Sequence, residues 1–247
     1  MHDLLVLGVA AFAAGVLNTI AGGGTFLTFP ALVFTGVPVV SANATSTVAV
    51  FPGYLGGALG FRREIAALEN RFLVKVILAT MVGGLTGSLL LLVSSNDAFS
   101  VVVPFLLAAA TLAFAFGDRI RAWAEARKMN AAESIGTTLA SVYGGYFNGG
   151  LGIILLALFS LWGMRDLHQM NGLKTLLSFV LSAISVVTFA VAGIVEWPQA
   201  LLMMVAATAG GYAGAPLARI LPRAAVRATV IVVGAGMSAL FFLRLFT

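Results

Sequence analysis

The sequence has no cysteine and only two histidines, His2 and His168, in 247 residues. Disulfides and thiolate metal sites are therefore excluded, and two distant histidines do not indicate a metal cluster. Charged residues are also scarce, at 9% of the chain, whereas soluble domains carry roughly 25%. Because 60% of the residues are hydrophobic and the mean hydropathy is +1.05, the solvent for this chain must be lipid. We expect no metal and no cofactor.

Carboxylates are missing from the interior of every predicted span. All nine acids lie in loops or at span ends: Asp3, Glu64, Glu69, Asp97, Asp118, Glu125, Glu133, Asp166 and Glu196. A proton relay or a cation site that depends on a buried carboxylate is therefore disfavoured. An enzyme is also disfavoured, since there is no nucleophile–base set. The net charge of +5 fits basic loops on one side of a membrane better than a nucleic-acid partner.

Glycine interrupts two apolar runs, one in each half of the chain. Residues 14–29 read AGVLNTIAGGGTFLTF, with the break at Gly22, Gly23 and Gly24. Residues 141–159 read SVYGGYFNGGLGIILLALF, with the break at Asn148, Gly149, Gly150 and Gly152. A pair of glycine-broken apolar helices is typical of membrane transporters with internal repeats. We interpret each as a helical hairpin with the glycines at its tip.

The other apolar segments are long enough to cross a bilayer, which takes about 20 residues. The predicted spans are 41–61, 72–93, 98–116, 170–195, 199–218 and 228–246. They predict an all-α polytopic membrane protein with two inverted-topology repeats, each a glycine-broken hairpin plus three transmembrane helices. Residues 1–117 form the first repeat, 118–130 a cytoplasmic linker and 131–247 the second repeat.

A nearly constant offset relates the two halves. Matched residues are 128 apart in Gly24/Gly152, Asn43/Asn171 and Thr47/Thr175, and 127 apart in Gly84/Gly211 and Gly87/Gly214. Basic residues cluster near 62–75, 119–128 and 219–227, which predicts that these segments are cytoplasmic. The acidic turns at Asp97 and Glu196 then lie outside. The first hairpin enters from outside and the second from inside, and both termini are predicted to be periplasmic.

The hairpin tips are the predicted substrate site. Each second arm starts at its glycines, and a helix N-terminus attracts anions through free N–H groups and the helix dipole. Side chains from both halves join them, so the candidate substrate-binding residues are Asn18, Gly22, Gly23, Gly24, Thr25, Asn43, Thr45, Ser46, Thr47, Asn148, Gly149, Gly150, Gly152, Asn171, Lys174 and Thr175. Taken singly, each of these residues is also an ordinary packing residue in membrane helices, and Lys174 has a second interpretation, snorkelling to the inner surface.

These motifs resemble the TauE/SafE family of sulfite exporters and toluene-sulfonate uptake permeases. The resemblance covers nearly the whole chain and rests on residues 18–25 (NTIAGGGT), Pro30, residues 36–38 (GVP), 42–47 (ANATST), 145–152 (GYFNGGLG) and 171–175 (NGLKT). It implies a small inner-membrane carrier of sulfur-containing or organic anions, with function at the hairpin tips and the Asn/Thr segments. Leu151 stands where the first tip has Gly23, so the two tips differ chemically.

The leading hypothesis is a secondary transporter that moves a small anion by alternating access of the two repeats. A small-anion channel is the alternative, and a membrane enzyme is the third class. The partners expected are a small anionic substrate and the lipid bilayer. The coupling ion is either sodium, held by carbonyls at the broken helices, or a proton that travels on the substrate. The sequence pattern does not give the oligomeric state.

Overall fold

The computed structural model describes residues 2–20, 23–127, 133–217 and 223–246, and every regular element within these ranges is an α-helix. We number the helices in chain order: α1 His2–Ile20, α2 Thr25–Phe34, α3 Val39–Gly60, α4 Arg62–Ala66, α5 Asn70–Val93, α6 Asn96–Arg127, α7 Glu133–Phe147, α8 Leu151–Leu161, α9 Leu167–Val191, α10 Trp197–Leu217 and α11 Arg223–Phe246.

Three helices of the described chain are both long and apolar enough to cross a membrane: α5, α9 and residues 96–113 of α6. On α5 the exposed face carries Leu78, Val82, Leu85 and Leu89, while the buried face carries threonine, serine and three glycines. An apolar stripe on the outside and small polar residues inside is the reverse of a soluble helix, and it is stable only in lipid. The protein is therefore a helical membrane protein.

The second arm of each hairpin is too short to cross a membrane by itself. The second arms, α2 and α8, contain 10 and 11 residues, which at 1.5 Å per residue are about 15 Å long, whereas a hydrocarbon core is about 30 Å thick. Gly23 and Gly150 adopt positive φ angles of 104° and 75° at the turns, a conformation that glycine reaches without steric cost.

Helices from the two halves exchange partners. α1 packs along α10, and α5 packs along α7. Glycine makes both contacts possible: a Cβ on Gly15 would meet the backbone of Ala207 and Gly211, and one on Gly87 would meet the backbone of Val142 and Tyr146. α3 also packs on α10, α5 on α9, α6 on both α8 and α11, and α2 on α11.

α3 and α9 run antiparallel across the centre of the molecule. The rings of Phe51 and Phe179 stack with their centroids 5.3 Å apart and their planes at 12°. A Cβ on Gly57 would lie 3.4 Å from the Thr175 Cβ, and one on Gly172 would lie 3.1 Å from the Phe61 Cβ. Residue numbers thus rise along one helix as they fall along the other.

The helix bounds differ from the predicted spans at several places, and α11 begins five residues before its predicted span. α6 continues to Arg127, so most of the predicted linker 118–130 is helical, because Ala, Glu and Arg are strong helix formers. The charged loop after α3 contains the short helix α4. Asp166 starts α9 three residues before the predicted span by accepting hydrogen bonds from the backbone N–H groups of His168 and Gln169. Residues 218–222, in the third basic segment, lie outside the described ranges.

Candidate functional site

The two helix breaks lie on either side of the middle of α3. The Asn18 amide, from the first break, is 4.0 Å from the position that a Cβ on Gly53 would take. The next residue, Tyr54, faces Asn148 of the second break. The hairpins also touch directly, because Phe29 of α2 packs edge-on against Phe147 at the end of α7, with centroids 5.7 Å apart. Both rings are fully buried in the aromatic core.

At the first break, one side chain occupies the N-terminal end of α2. The Asn18 Oδ1 accepts hydrogen bonds from Gly23 N at 3.1 Å and from Gly24 N at 3.0 Å. A Cβ on Gly24 would lie 2.8 Å from the Ala14 carbonyl oxygen, so the two arms meet closely there. Thr25 is the buried first residue of α2. Gly22, also a predicted site residue, lies outside the described residues.

The hydroxyl groups of α3 that were predicted to bind substrate have protein partners. Ser46 shares a 2.6 Å hydrogen bond with Thr28 of α2. Thr47 donates to the Asn43 carbonyl one turn earlier, at 2.9 Å. Thr45 accepts from the backbone N–H of Glu196 at 3.0 Å, which fastens the turn before α10 to α3. In this conformation Ser46 and Thr45 therefore join α3 to neighbouring segments, and Thr47 bonds within α3.

The second break has a different arrangement of polar groups. Gly150, with its positive φ, is the N-cap of α8 and supplies no side-chain cap. The Tyr143 hydroxyl donates to the Gly149 carbonyl at 2.6 Å and holds the tip against α7. Asn148 is only 4% exposed, yet neither its Nδ2 nor its Oδ1 has a hydrogen-bond partner. An unpaired buried amide costs about 1–3 kcal/mol, so this one calls for an explanation.

Asn43 connects the first half of the chain to the second break. Its Nδ2 donates to the Tyr146 carbonyl at 2.9 Å, in the last turn of α7. That carbonyl belongs to the group at a helix C-terminus that lacks an intrahelical donor. The Asn43 Oδ1 is buried and has no partner. Asn43 therefore positions the end of α7 and keeps one free acceptor.

Lys174 lies across the start of α8. Its Cδ is 3.2 Å from the position of a Cβ on Gly152, so a larger residue there would crowd the lysine stem. The Lys174 Nζ donates to the Asn171 Oδ1 at 2.9 Å, and the Asn171 Nδ2 donates to the Leu167 carbonyl. The Thr175 hydroxyl bonds the carbonyls of Asn171 and Gly172. Among the predicted residues, Gly152 and Lys174 are thus in contact.

The two matched Asn–x–x–x–Thr segments are not brought together. Asn43 lies eight residues before Phe51, and Asn171 lies eight residues before Phe179. Because α3 and α9 are antiparallel and cross where these rings stack, the two asparagines lie about 24 Å apart along the helix direction. Asn43 is next to the second break in spite of its place in the first half, while Asn171 is at the exposed start of α9.

Three residues near the breaks were not among the predicted ones: Thr28, Tyr54 and Tyr143. Tyrosine hydroxyls inside apolar helices are a usable signal, since buried ones need a partner. Thr28 carries no such signal, because Thr is common in membrane helix packing. Among the described residues, no three His, Asp or Glu side chains are grouped closely enough to hold a metal ion.

Comparison with known proteins gives the family. The model of the sulfite exporter TauE/SafE family matches residues 7–241. The chain belongs to this family. A probable membrane transporter protein of Haemophilus influenzae is 28% identical to the TauE/SafE chain over 243 residues, which cover 96% of the chain and 94% of that protein. The probable membrane transporter protein YfcA of Escherichia coli K12 is 28% identical over 246 residues, which cover 97% and 90%.

A third relative, the probable membrane transporter protein ORF9 of a Sinorhizobium species, is 33% identical over 114 residues, or 46% of the TauE/SafE chain and 43% of that protein. No solved structure matches the chain significantly. With its apolar helices, the protein is a multi-pass membrane member of a transporter family.

Proposed function

We propose that this protein is a secondary transporter for a small sulfur-containing or organic anion, such as sulfite or a sulfonate, and that it works by alternating access in the inner membrane. One observation carries the proposal: two broken helices converge on the middle of α3, and the described residues lining them include amides, hydroxyls and one lysine but no carboxylate. Helix N-termini and such donors favour an anion. The description of the family and the names of the relatives support the assignment to the class of transporters.

Two features support the inverted-topology repeats within this proposal. Phe51 and Phe179, which stack on each other, have the same 128-residue separation as the matched Asn and Thr pairs. The partner exchange is also reciprocal: α1 with α10 corresponds to α7 with α5, and α3 with α10 corresponds to α9 with α5. A two-fold axis in the membrane plane that passes through the Phe51–Phe179 contact accounts for both features.

The moving parts proposed for alternating access differ from the sequence repeats. The central unit comprises α5 to α9, and the flanking unit comprises α1, α2, α3, α10 and α11. Within each unit most helices pack tightly, although α11 lies mainly against α6, and the contacts between units are mainly α3 with α9 and α6 with α11. Close backbone packing at glycine residues resists sliding within a unit, so each unit moves as one body. The motion then occurs between α3 and α9 and between α6 and α11.

We expect Ala67 to face the cytoplasm and Ala192 to face the periplasm. Lys75 pairs with Glu133 at 3.1 Å, so α5 and α7 begin on the same side. Gly84 lies against Leu181 and Ser88 bonds Ser185, so α5 and α9 run parallel. Their basic starts then share one side, as the positive-inside rule requires. In whole cells, an impermeant maleimide should label Ala192→Cys but not Ala67→Cys. The opposite labelling would reverse the orientation.

Transport itself is tested in proteoliposomes loaded with one anion. The external panel is sulfite, thiosulfate, sulfoacetate, taurine, acetate and phosphate. We expect saturable uptake of the sulfur oxyanions or sulfonates, with acceleration when the same anion is present inside, because a carrier returns faster when loaded. Flux that does not saturate and shows no such acceleration would favour the channel. Absence of flux for the whole panel would reject the proposed substrate class.

A further inference from the structure

We propose that the anion binds at the second break alone, with its head between Asn148, the N-terminus of α8 and Lys174, and that the first break is a structural element which already contains an internal ligand. This inference rests on the proposed function, and it assigns unequal roles to the two halves of the molecule. Tyr54 and Tyr143 are added as positioning residues.

At the first break, the backbone donors at the tip already have a protein partner. The backbone N–H groups of Gly23 and Gly24 are the donors that an anion at this helix start would take, and both are bound by the Asn18 Oδ1. The hydroxyls of Thr28 and Ser46 are bonded to each other. The Asn18 amide oxygen therefore stands where an anion would stand, and α2 is capped from within its own hairpin.

At the second break, the carbonyl groups are the ones that are occupied. The Tyr146 carbonyl accepts from the Asn43 Nδ2, and the Gly149 carbonyl accepts from the Tyr143 hydroxyl. The Asn148 carbonyl accepts a long hydrogen bond from Leu151 N at 3.5 Å. Three carbonyl oxygens at this break thus already accept a hydrogen bond, which leaves the N–H groups at the start of α8 as the main polar groups for a ligand.

Asn148 is the side chain that points to a missing ligand. It is nine-tenths buried, lies two residues before the N-cap of α8, and both ends of its amide are unpaired. The Tyr54 hydroxyl oxygen faces this amide without completing a hydrogen bond. When it accepts from one hydrogen of the Asn148 Nδ2, the other Nδ2 hydrogen is donated to the ligand, beside the start of α8.

Lys174 supplies the charge on the same side. Its stem crosses Gly152 in the first turn of α8, and its ammonium group donates a hydrogen bond to the Asn171 side chain. In the matched position of the first half stands the neutral Ser46. A rotation about the lysine side-chain bonds moves Nζ from Asn171 to an oxygen of the anion. The ligand class is therefore a small oxyanion head with at least two acceptor oxygens, such as sulfite, a sulfonate or a carboxylate.

Isosteric substitutions separate the two breaks. Asn148→Asp puts a negative charge at the proposed site, whereas Asn18→Asp keeps an oxygen acceptor on Gly23 N and Gly24 N. Each full-length variant is purified, its melting temperature confirms folding, and sulfite and sulfoacetate are titrated as probes. We expect Asn148→Asp to lose the ligand-induced shift and Asn18→Asp to keep it. Lys174→Gln, which preserves the stem over Gly152, should weaken binding about tenfold or more, and Lys174→Arg should recover part of the loss.

The outcomes distinguish this inference from the proposed function. If wild type binds an anion and Asn18→Asp loses it, or Asn148→Asp and Lys174→Gln keep it, the assignment to the second break is overturned while anion transport stands. If wild type binds no anion of the panel and transports none, the proposed function fails and this assignment fails with it. If Asn148→Asp does not fold, the comparison of Lys174→Gln with Asn18→Asp decides in the same way.

Discussion

A disulfide between Gly57→Cys and Thr175→Cys is expected to stop transport, whereas one between Gly84→Cys and Leu181→Cys is expected to leave it intact. The first bridge joins α3 to α9, across the boundary between the flanking and central units. The second joins α5 to α9, within the central unit. Under the proposed motion only the first pair changes its distance, so only the first bridge holds the protein in one state.

The geometry suits both bridges almost equally. A Cβ on Gly57 would lie 3.4 Å from the Thr175 Cβ, and one on Gly84 would lie 3.8 Å from the Leu181 Cβ. Disulfides need Cβ atoms about 3.5–4.5 Å apart. The chain has no native cysteine, so no other thiol competes. Both bridges join packed faces of two helices, which makes the second a control for oxidation and for the introduction of a cysteine pair.

Uptake is measured in proteoliposomes before oxidation, after oxidation and after reduction. The expected result is loss of flux to background only in the oxidised Gly57→Cys, Thr175→Cys protein, with recovery on reduction. Each single variant controls for the substitution itself, which matters for Thr175 because its hydroxyl bonds α9 carbonyls. Equal flux through both oxidised proteins would contradict motion at the α3–α9 pair. Loss in both would contradict a rigid central unit.

The local features of this fold were predictable from the sequence. Glycine strings within apolar runs marked both breaks, because lipid tolerates an interrupted helix only where protein or a wet cavity covers it. Of the six predicted spans, those that correspond to α5, to residues 96–113 of α6 and to α9 are long and apolar enough to cross a membrane. α6 extends past its apolar part to Arg127 because a polar but helix-favouring sequence continues it.

The pairings between distant helices were not predictable. Nothing local indicates that α1 packs on α10, since any glycine-bearing face of a membrane helix is a candidate partner for any other. The sequence interpretation also grouped Asn43 with Asn171 because they are equivalent in the repeat. Because α3 and α9 are antiparallel and cross near Phe51 and Phe179, two residues that are 128 apart in the sequence lie farther from each other the farther they are from the crossing. Thus Asn43 reaches the Tyr146 carbonyl of the other half, and Asn171 does not reach Asn43.

The unequal chemistry of the two tips was visible only in part. The sequence showed that Leu151 replaces a glycine, but it could not show that Asn18 turns back onto Gly23 and Gly24. That contact spans five and six residues and depends on how the turn folds back, which residue spacing alone does not reveal. Asn148 makes no equivalent contact, so one helix start is capped from within its hairpin and the other has an unpaired amide beside it.

Gly87→Ala is expected to be among the most destabilising single methyl additions at the described helix contacts, together with substitutions at Gly15 and Gly210, and to disturb the second break at the same time. The new Cβ would lie 2.8 Å from Tyr146 N and 3.0 Å from the Gly145 Cα, and closer still to the Val142 carbonyl. All three are backbone atoms, so no side-chain rotation relieves the clash and α5 must move away from α7. Overpacking of this kind costs about 1–3 kcal/mol or more.

The displaced end of α7 carries the Tyr143 and Tyr146 groups that position the second break. Gly87→Ala should therefore lower both the melting temperature and the anion-induced shift. Gly56→Ala on α3 is the matched control, because its Cβ would meet nothing within 4 Å and alanine gains about 1 kcal/mol of helix propensity over glycine. Thermal melting curves of both variants, with and without the anion, test this expectation. Equal melting temperatures for Gly87→Ala and wild type would mean that the α5–α7 contact yields, and a rigid central unit would then have to be abandoned.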